Sequence, residues 1–548
     1  MTPDQGDDSK LTSGTAGVVA AVIVLAAAVL LFGLGLVSPR AEPRGEEPGD
    51  AAPTSAASGV APVVMVVFDE FPLTSLLDGR SRIDARRYPN IASLAGDSTW
   101  FANATGVHDR TTKAVPAILT GGLPRGGKLP VARDHRRSLF TLLRRSHEMN
   151  VSEEATALCP APCGGSGREV ARARSLREIE LAIIRNIHRG RPERFAEWVG
   201  RIRAGGRPQL SFKHVFLPHT PFKYLPSGRN YLENWRERLP GLSEHRIHSP
   251  WLAGQANQRQ LLNLAFTDRL IGLLIRRLRR VGLYDRSLIV LTADHGASFQ
   301  RGQDRRIITR RTFSDIASIP LIVKRPHQQR GRVSRSYVRT PDILPTIAQG
   351  LGLKLPWRVQ GRSAYGRGVR GRRRVFMFRG AEATVTRAGR EPRVRLSVRA
   401  FERSQRRALR RQRRLFGSGD VNRIYRFGPY QRQLGRAVAE LPVGSGGPVS
   451  ASIKDAGLLR SVNLRGGFVP AQVVGRVNGP RRLGRPVAVA VNGRIAAVGH
   501  TFALPGGRRE HFSMLVPDWM LRQGSNDVRV YSVSGSRARP RLALLGAG

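Results

Sequence analysis

The sequence contains very little cysteine and very few acidic residues. Two cysteines in 548 residues exclude a disulfide scaffold. The 40 acidic residues face 91 basic ones, of which eight are lysine and 83 are arginine, so the formal net charge is +51. Long apolar runs are also missing, apart from one, and this excludes a multi-span transporter. With 41% hydrophobic and 24% charged residues, the chain is long and apolar enough to build a large core.

The one long apolar run is Gly14–Val37, and no charged residue lies between Lys10 and Arg40. About 20 apolar residues span a bilayer, so this run predicts a transmembrane anchor that follows an N-terminal tail, residues 1–13. A cleaved signal peptide is the alternative, but its apolar region would be shorter and would end in small residues at a cleavage site. The flanking charges encode the orientation poorly: Lys10 precedes the span and Arg40 and Arg44 follow it, so the positive-inside count is weak and leans against an outer catalytic domain.

The charge of +51 indicates a polyanionic partner, such as an anionic lipid or an envelope polymer. The alternative is a set of solvated arginine faces. Nucleic acid is not favoured, because the sequence has no paired zinc ligands and no aromatic RNA-binding signature. The densest basic runs, 370–374 and 402–414, lie in an arginine-rich connecting region, 366–445. They are basic on every helical face and predict a solvated helix or linker that could touch anionic headgroups.

The middle of the chain alternates between strand and helix patterns. Residues 38–60 are rich in Pro, Gly, Ala and Ser and predict a linker. Continuous apolar runs at 62–68, 287–293 and 320–324 are typical of strands buried on both faces of a sheet. The pattern predicts an α/β layered domain over residues 61–365.

Two helices complete this pattern. Apolar positions with a 3.6-residue period, from Leu261 to Leu278, predict a helix before the second strand, and Gly282 is a plausible stop. A second helix is predicted to begin with the segment DILPTIAQGL, 342–351. The last segment, 446–548, has β-rich runs around Asn492-Gly493 and predicts a small C-terminal β domain, a sandwich, without a catalytic constellation.

Acidic residues follow two of the apolar strands directly. Asp69-Glu70 come after the first strand, and Asp294-His295 come after the second. In an α/β sheet, ligands collect at the carboxyl ends of the strands. Carboxylates with an imidazole suit one divalent ion, which could be Mn, Zn, Mg or Ca. Salt bridges to some of the arginines are the alternative for each pair.

A threonine-containing segment, 108–122, lies between these acids in the sequence. The run Thr112 to Leu119 predicts a helix with Thr111 or Thr112 at its N-terminus, a position that favours an anion. A threonine hydroxyl there could be activated by a metal ion and attack phosphorus or sulfur. The alternative is simple N-capping.

Six motifs follow the acids of the first strand along the chain: YPNIASLA (88–95), TTKAVPAILTG (111–121), LPHTPF (217–222), LYDRSLIVLTADHG (283–296), IPLIVK (319–324) and PDILPTIAQGLG (341–352). In this order, the acids and the motifs resemble the sulfatase-like branch of the alkaline phosphatase superfamily, which includes sulfatases, lipoteichoic acid synthases and phosphoethanolamine transferases. The resemblance covers roughly residues 61–365 and implies a layered sheet with helices on both faces.

The resemblance implies roles for individual residues. Asp69 and Glu70 match the metal-binding acids after the first strand, and Asp294 and His295 match the later metal ligands. Thr111 falls where the family keeps its nucleophile, which also contacts the metal.

His219 matches a histidine that lines the substrate pocket and assists the leaving group, although a structural histidine is the alternative. Arg110, next to the nucleophile, could bind a phosphate. The alternative is that an arginine stands at this position by chance, because the chain has 83 of them. One departure matters: sulfatases carry C-x-P-S-R, whose cysteine becomes formylglycine, whereas this chain has Thr111 to Val115, TTKAV. Phosphoryl chemistry through threonine therefore fits better than sulfate-ester hydrolysis.

The two cysteines, Cys159 and Cys163, lie in one short segment, CPAPC. No further zinc ligands lie nearby, so a local disulfide and two inert thiols are the open alternatives. The resemblance, with minor support from this pair, places the catalytic domain outside the cytoplasmic membrane.

These observations predict a single-pass membrane protein whose metal-dependent hydrolase or transferase domain acts on phosphoester groups, or less favourably on sulfate esters, of envelope substrates. The alternative is a non-catalytic relative that binds an anionic envelope polymer through its arginines.

Overall fold

We describe a computed structural model, which covers residues 60–160, 163, 167–232, 242, 246–380 and 392–547. The expected tail, anchor and nearly all of the linker, residues 1–59, lie outside the described residues. Within the described ranges, no helix combines the length and apolarity that a membrane span requires.

The first sheet has seven strands in the order β3-β4-β1-β5-β6-β2-β7. Strands β3, β4, β1 and β5 run parallel, whereas β6 is antiparallel to β5. The strands are β1 Val63–Asp69, β2 Thr99–Phe101, β3 Glu148–Ser152, β4 Gln209–Pro218, β5 Leu288–Ala293, β6 Leu321–Lys324 and β7 Arg332–Ser334.

The central strands β1, β4 and β5 are buried at every position. Successive side chains of a strand point to opposite faces, so both faces of the sheet are covered. This burial explains the continuous apolar runs of β1 and β5 in the sequence. The α/β layered fold is therefore as predicted, with a mixed sheet.

Helices flank this sheet and continue through the connecting region. They are α1 Pro89–Gly96, α2 Thr111–Thr120, α3 Leu139–Leu143, α4 Arg168–Arg172, α5 Leu176–His188, α6 Arg191–Gly200, α7 Pro250–Arg280, α8 Phe313–Ala317, α9 Ile343–Gly350, α10 Val398–Phe416 and α11 Ala456–Arg460. Helix α7 begins earlier than the apolar stripe from Leu261 suggests. Its first turns bury polar side chains, among them Gln255 and Gln258, so apolar periodicity does not mark them.

The run 402–414, expected to be a solvated helix or linker, is a helix, but the expectation that every face is solvated is wrong. This run forms most of α10, and the helix buries one face through Phe401, Ala408, Leu409 and Phe416. The buried positions recur at helical spacing, so the helix is amphipathic rather than basic on every face. It packs against α8, and Ser404 donates a hydrogen bond to Ser314 at 2.9 Å. Just before it, β8 Arg374–Phe378 and β9 Arg393–Ser397 form a two-stranded sheet.

The C-terminal segment forms one seven-stranded sheet, ordered β13-β12-β15-β16-β10-β11-β14. The predicted sandwich is therefore wrong. The chain after one edge strand pairs with the other edge, through Phe502 and His511, so the sheet curls on itself instead of splitting into two layers. The predicted hairpin at Asn492-Gly493 is present. The strands are β10 Val443–Ile453, β11 Gln472–Asn478, β12 Pro486–Val491, β13 Arg494–His500, β14 Glu510–Leu515, β15 Val528–Gly535 and β16 Pro540–Ala547.

The two large sheets are joined by specific contacts. Arg229 pairs with Asp518 at 3.0 Å, and the Asn230 amide donates to the Gly467 carbonyl at 2.7 Å. The domain boundaries expected at 365 and 445 stay predictions. Cys159 and Cys163 form a disulfide with their Cα atoms 6.0 Å apart, which is the first of the two alternatives for this pair.

Candidate active site

Three adjacent parallel strands supply the site. β4, β1 and β5 lie side by side, and His219, Asp69-Glu70 and Asp294-His295 stand at or just after their carboxyl ends. Because Phe68 pairs with Ala293, the acids that follow these two residues leave the sheet at the same level. The apolar runs thus deliver five site residues to one edge.

Close backbone packing fixes the second pair of ligands. The Asp294 amide donates to the Phe68 carbonyl at 3.0 Å, and the Phe71 amide donates to the His295 carbonyl at 2.9 Å. At Gly296, a Cβ would lie 2.2 Å from the Asp315 carbonyl oxygen, so the turn after His295 accepts only glycine. Glu70 adopts a left-handed φ of 56°, a strained conformation that is typical of functional sites.

Thr111 is the first residue of α2, and Arg110 occupies the N-cap position. Simple N-capping by Thr111 is therefore not its role here. The Thr111 hydroxyl donates to Asp69 Oδ2 at 3.1 Å and lies 3.4 Å from His295 Nε2. Thr112 instead lines a separate cavity on the flank of the helix. The structure brings only the first of the two candidate threonines to the acids.

Arg305 and Arg306 enter the site from the loop after β5, and sequence reasoning missed both. Arg306 Nη2 donates to His295 Nε2 at 3.1 Å and to the Thr111 hydroxyl at 3.4 Å. Its Nε lies 3.3 Å from Glu70 Oε1, and Arg305 pairs with the other oxygen of Glu70. Glu70, expected as a metal ligand, is thus already compensated by two guanidinium groups.

Burial dominates the electrostatics of the cluster. It raises the pKa of Asp69 well above its ordinary value, and the charge of Asp294 adds to this effect. Burial likewise raises the pKa of Asp294. It lowers the pKa of His295 well below 6.5, with a further contribution from Arg306. His295 is therefore neutral at pH 7, the form that binds metal ions.

His219 reaches the same cluster from the end of β4. Its Nε2 lies 3.3 Å from Glu70 Oε1, and its Nδ1 contacts the Thr220 carbonyl oxygen. Burial and the charges of Arg306 and Arg305 lower its pKa well below 6.5. A neutral ring whose Nδ1 donates to a carbonyl presents a lone pair at Nε2. In this state His219 suits cation or substrate contact better than proton donation, and its role with the leaving group stays a prediction.

The donor set fits a divalent cation. Ligand atoms of Asp69, Asp294 and His295 lie within 4.8 Å of one another, and a second such group combines Asp69 and Glu70 with His219. Asp69 Oδ1 and Asp294 Oδ2 are buried and accept no hydrogen bond from the described residues. His295 Nδ1 lies 2.9 Å from the Gly296 carbonyl, so the neutral ring carries its lone pair on Nε2, the atom that Arg306 Nη2 also contacts and that would bind the ion. The first group is the better fit, because arginines already compensate Glu70.

Arg110, expected to bind substrate, is the N-cap residue of α2, directly before Thr111. Its Nη1 is 3.9 Å from Glu180 Oε1, and its side chain packs over Gly380. The adjacent Asp109 is buried and accepts hydrogen bonds from the amides of Ile308 and Gly380 at 3.0 and 2.6 Å. It thereby ties the loop that carries Arg306 to the start of α2.

Parts of the chain are similar in sequence to known proteins. Residues 190–353 match the sulfatase family model, a segment that contains His219, Asp294, His295 and Arg306. The chain is 32% identical over 171 residues to an endo-4-O-sulfatase of Bacteroides thetaiotaomicron, covering 30% of this chain and 33% of the relative. It is 31% identical over 99 residues to a multifunctional alkaline phosphatase superfamily protein of Trinickia caryophylli, covering 18% and 19%.

Among solved structures, a phosphonate monoester hydrolase from Silicibacter pomeroyi is similar at 19% identity and a TM-score of 0.41, covering 58% of this chain and 79% of that one. The chain spans about a third or less of the length of the curated relatives named above. The family match and these relatives place the chain in the sulfatase and alkaline-phosphatase-like superfamily, as the sequence motifs predicted.

Proposed function

We propose that the protein is a metal-dependent hydrolase of oxyanion esters that uses Thr111 as its nucleophile, with phosphoesters preferred over sulfate esters. The observation that carries the proposal is the position of the Thr111 hydroxyl, which contacts Asp69 Oδ2, His295 Nε2 and Arg306 Nη2 within 3.4 Å. A hydroxyl at a helix start, between an acid and a guanidinium group, is arranged to attack a bound oxyanion.

The residues give each part of the reaction a place. Thr111 Oγ1 forms a bond to phosphorus while the bond to the leaving oxygen breaks, and the hydroxyl proton passes to Asp69 Oδ2, which already accepts its hydrogen bond. Arg306 faces the charge that develops on the oxyanion. Water, or an acceptor alcohol, then takes the phosphoryl group from Thr111.

Asp69, Asp294 and His295 would hold the divalent ion, with Thr111 beside them. When bound, such an ion supplies Lewis-acid stabilisation of negative charge at the reacting centre. The identity of the ion stays open among Mn, Zn, Mg and Ca.

The preference for phosphoesters rests on the missing cysteine. Thr111 stands where sulfatases convert a cysteine, and both cysteines of the chain are joined in the Cys159–Cys163 disulfide. No thiol is therefore available for conversion at the site. The named sulfatase relatives make sulfate esters the second candidate.

Turnover of two small substrates tests the proposal. Purified full-length protein, loaded in turn with each of the four metals, is given an aryl phosphodiester and the matching aryl sulfate. We expect phosphodiester cleavage that chelation abolishes. Faster cleavage of the sulfate would reverse the preference. No cleavage of either ester by protein that binds the ion would favour the alternative, a non-catalytic relative that holds an anionic envelope polymer.

We also propose that Gly14–Val37 anchors the protein in the cell membrane, with residues 61–548 on the outer side, where they meet anionic lipid or polymer. The uncharged run supports the anchor, and the disulfide is typical of an oxidising compartment. A membrane-impermeant thiol reagent should label cysteines introduced into the 38–60 linker in intact cells. Labelling only after lysis would reverse the orientation.

A further inference from the structure

A cavity of about 710 Å³ lies along the flank of α2. The helix contributes Thr112, Lys113, Pro116 and Thr120, and the loops 122–137 and 357–360 close the other sides. We propose that this cavity, called the basic groove below, binds additional sulfate or phosphate groups of a polyanionic substrate. The inference extends the proposed function, because it names the kind of molecule that carries the scissile ester.

The charged side chains that line the basic groove are almost all cationic. Among the described residues that line it, seven are lysine or arginine, and the one carboxylate, Asp134, accepts the Leu129 amide at 2.7 Å. Burial and the charge of Lys128 lower the pKa of His135 to about 4, so this side chain adds no charge at neutral pH. A concave surface with one sign of charge focuses its field and concentrates oppositely charged ligands.

The two lysines of the groove bind backbone carbonyls of its loop, whereas most of its arginines are available to contact a ligand. Lys113 Nζ donates to the carbonyls of Arg125 and Lys128 at 3.0 and 2.9 Å, which fixes the loop. Five arginines of the groove are exposed, and one of them, Arg133, donates to the carbonyls of Ala171 and Ala173. No carboxylate of the described residues lies within ion-pair distance of the other four: Arg125, Arg136, Arg137 and Arg358. Their planar guanidinium groups match the oxygens of sulfate and phosphate.

Trp357 adds a second feature that a solvated arginine face lacks. It is half-buried in the lining, and its Nε1 is buried without a hydrogen-bond partner among the described residues. An indole N–H in this state costs free energy unless it finds an acceptor. An anionic oxygen in the groove would supply one.

The groove begins one residue from the proposed nucleophile. Thr112 and Lys113 line it, and Thr111 points into the acidic cluster. Helix α2 has ten residues and is therefore about 15 Å long. A polymer with its scissile ester at Thr111 can place neighbouring anionic groups along this length.

Binding to the full-length protein tests the inference without turnover. The probes are a short dextran sulfate, an inorganic polyphosphate of equal charge and neutral dextran of equal length, followed by calorimetry. The groove variant replaces Arg125, Arg136, Arg137 and Arg358 by Gln. The matched control replaces four exposed arginines of α10 by Gln: Arg403, Arg406, Arg407 and Arg410.

We expect the groove variant to bind the anionic probe at least about tenfold more weakly, because charges that line one concave surface act together on a ligand. The control should change less than about twofold, because its arginines do not line the groove. The tighter of the two anionic probes identifies sulfate or phosphate as the recognised group. Cleavage of the small aryl ester should stay unchanged in both variants. If the quadruple variant unfolds, the Arg136→Gln/Arg137→Gln pair replaces it.

Three results would overturn the inference. They are equal losses in the groove and control variants, equal binding of neutral dextran, and tighter binding of a single-stranded oligodeoxynucleotide of equal charge, which would assign the groove to nucleic acid. A protein that binds the anionic probes through the groove but cleaves no ester would refute the proposed function and leave this inference standing.

Discussion

Helix α2 has buried titratable groups at its first residue and exposed cationic groups along its flank. At its first residue, Thr111 meets a closed cluster in which Asp69, Asp294 and His295 are all buried. Along its flank, the basic groove is open, and its arginines are exposed. Buried charges interact strongly because water does not screen them, whereas exposed charges act weakly and collectively. The contrast predicts large effects of single substitutions in the cluster and small ones in the groove.

The largest effect is expected at Thr111. Thr111→Ala should lower the turnover of the aryl phosphodiester at least about a thousandfold, because it removes the nucleophile. The fold should persist, since leaving Asp69 Oδ2 without this donor costs about 1–3 kcal/mol, less than the total stability of a typical domain. Steady-state kinetics and thermal unfolding measure the two quantities.

Thr112→Ala is the matched control for this variant. Thr112 is adjacent and chemically identical but lines the basic groove, so its replacement should leave turnover near normal. Loss of activity in Thr112→Ala alone would move the nucleophile by one residue. Full activity in both variants would end the covalent mechanism.

Arg306→Gln should have the next largest effect on activity. Removing a preorganised charge at the reacting centre costs about a hundredfold in rate, and Arg306 contacts both Thr111 and His295. The loss should appear mainly in kcat, because the charge on the oxyanion grows in the transition state. Arg310→Gln, an exposed arginine of the same loop, should change kcat less than about twofold. A pure rise in KM for Arg306→Gln would assign it to ground-state binding.

The buried ion pairs of Glu154 with Lys213 and Arg194 lie outside the proposed active site. They test whether a substitution has a large effect because the charge is buried, even where no catalysis is involved. Burial opposes ionisation of Glu154, but Lys213 and Arg194 outweigh it and lower the pKa of Glu154 from 4.5 to about 2. The ionised group therefore stabilises the fold above pH 4.5, by about 3 kcal/mol, and this contribution is lost as the pH falls toward 2.

Glu154→Gln should accordingly unfold more easily at pH 7, by about 3 kcal/mol, and lose less stability between pH 4.5 and 2 than the wild type. Urea unfolding at several pH values measures both. Glu197→Gln, an exposed change on α6, is the control and should match the wild type. If the wild type and both variants lost the same free energy of unfolding between pH 4.5 and 2, the assigned role of the Glu154 ion pairs would be contradicted.

Much of the closed cluster was predictable because its signals contrast with their surroundings. Apolar runs that end in Asp69 and Asp294 are unusual, and parallel neighbouring strands necessarily bring such ends together. Arg306 could not be found in this way. In a chain with 83 arginines, Arg306 cannot be distinguished in the sequence from other basic loop residues, and only the fold shows that its side chain contacts Glu70.

The connecting region and the C-terminal sheet were less predictable for related reasons. The buried face of α10 has only four apolar side chains, and the helix carries eight arginines, so its composition hid the amphipathic period. The first turns of α7 pack polar side chains between the sheets, where Gln258 donates to the Ile424 carbonyl at 2.9 Å. The hairpin at Asn492-Gly493 was local and was found, whereas the strand order depends on pairs far apart in sequence, such as β10 with β16.

The most direct test of the account is the metal stoichiometry of the closed cluster. Titration of metal-free protein with Mn²⁺, followed by calorimetry, should show one tight site in the wild type. The combined Asp294→Asn and His295→Ala variant should lose that site, because an amide is a poorer ligand for a hard cation and the imidazole is gone. If the folded variant bound the ion as tightly as the wild type, the cluster of Asp69, Asp294 and His295 would not be the metal centre, and the proposed chemistry at Thr111 would be refuted.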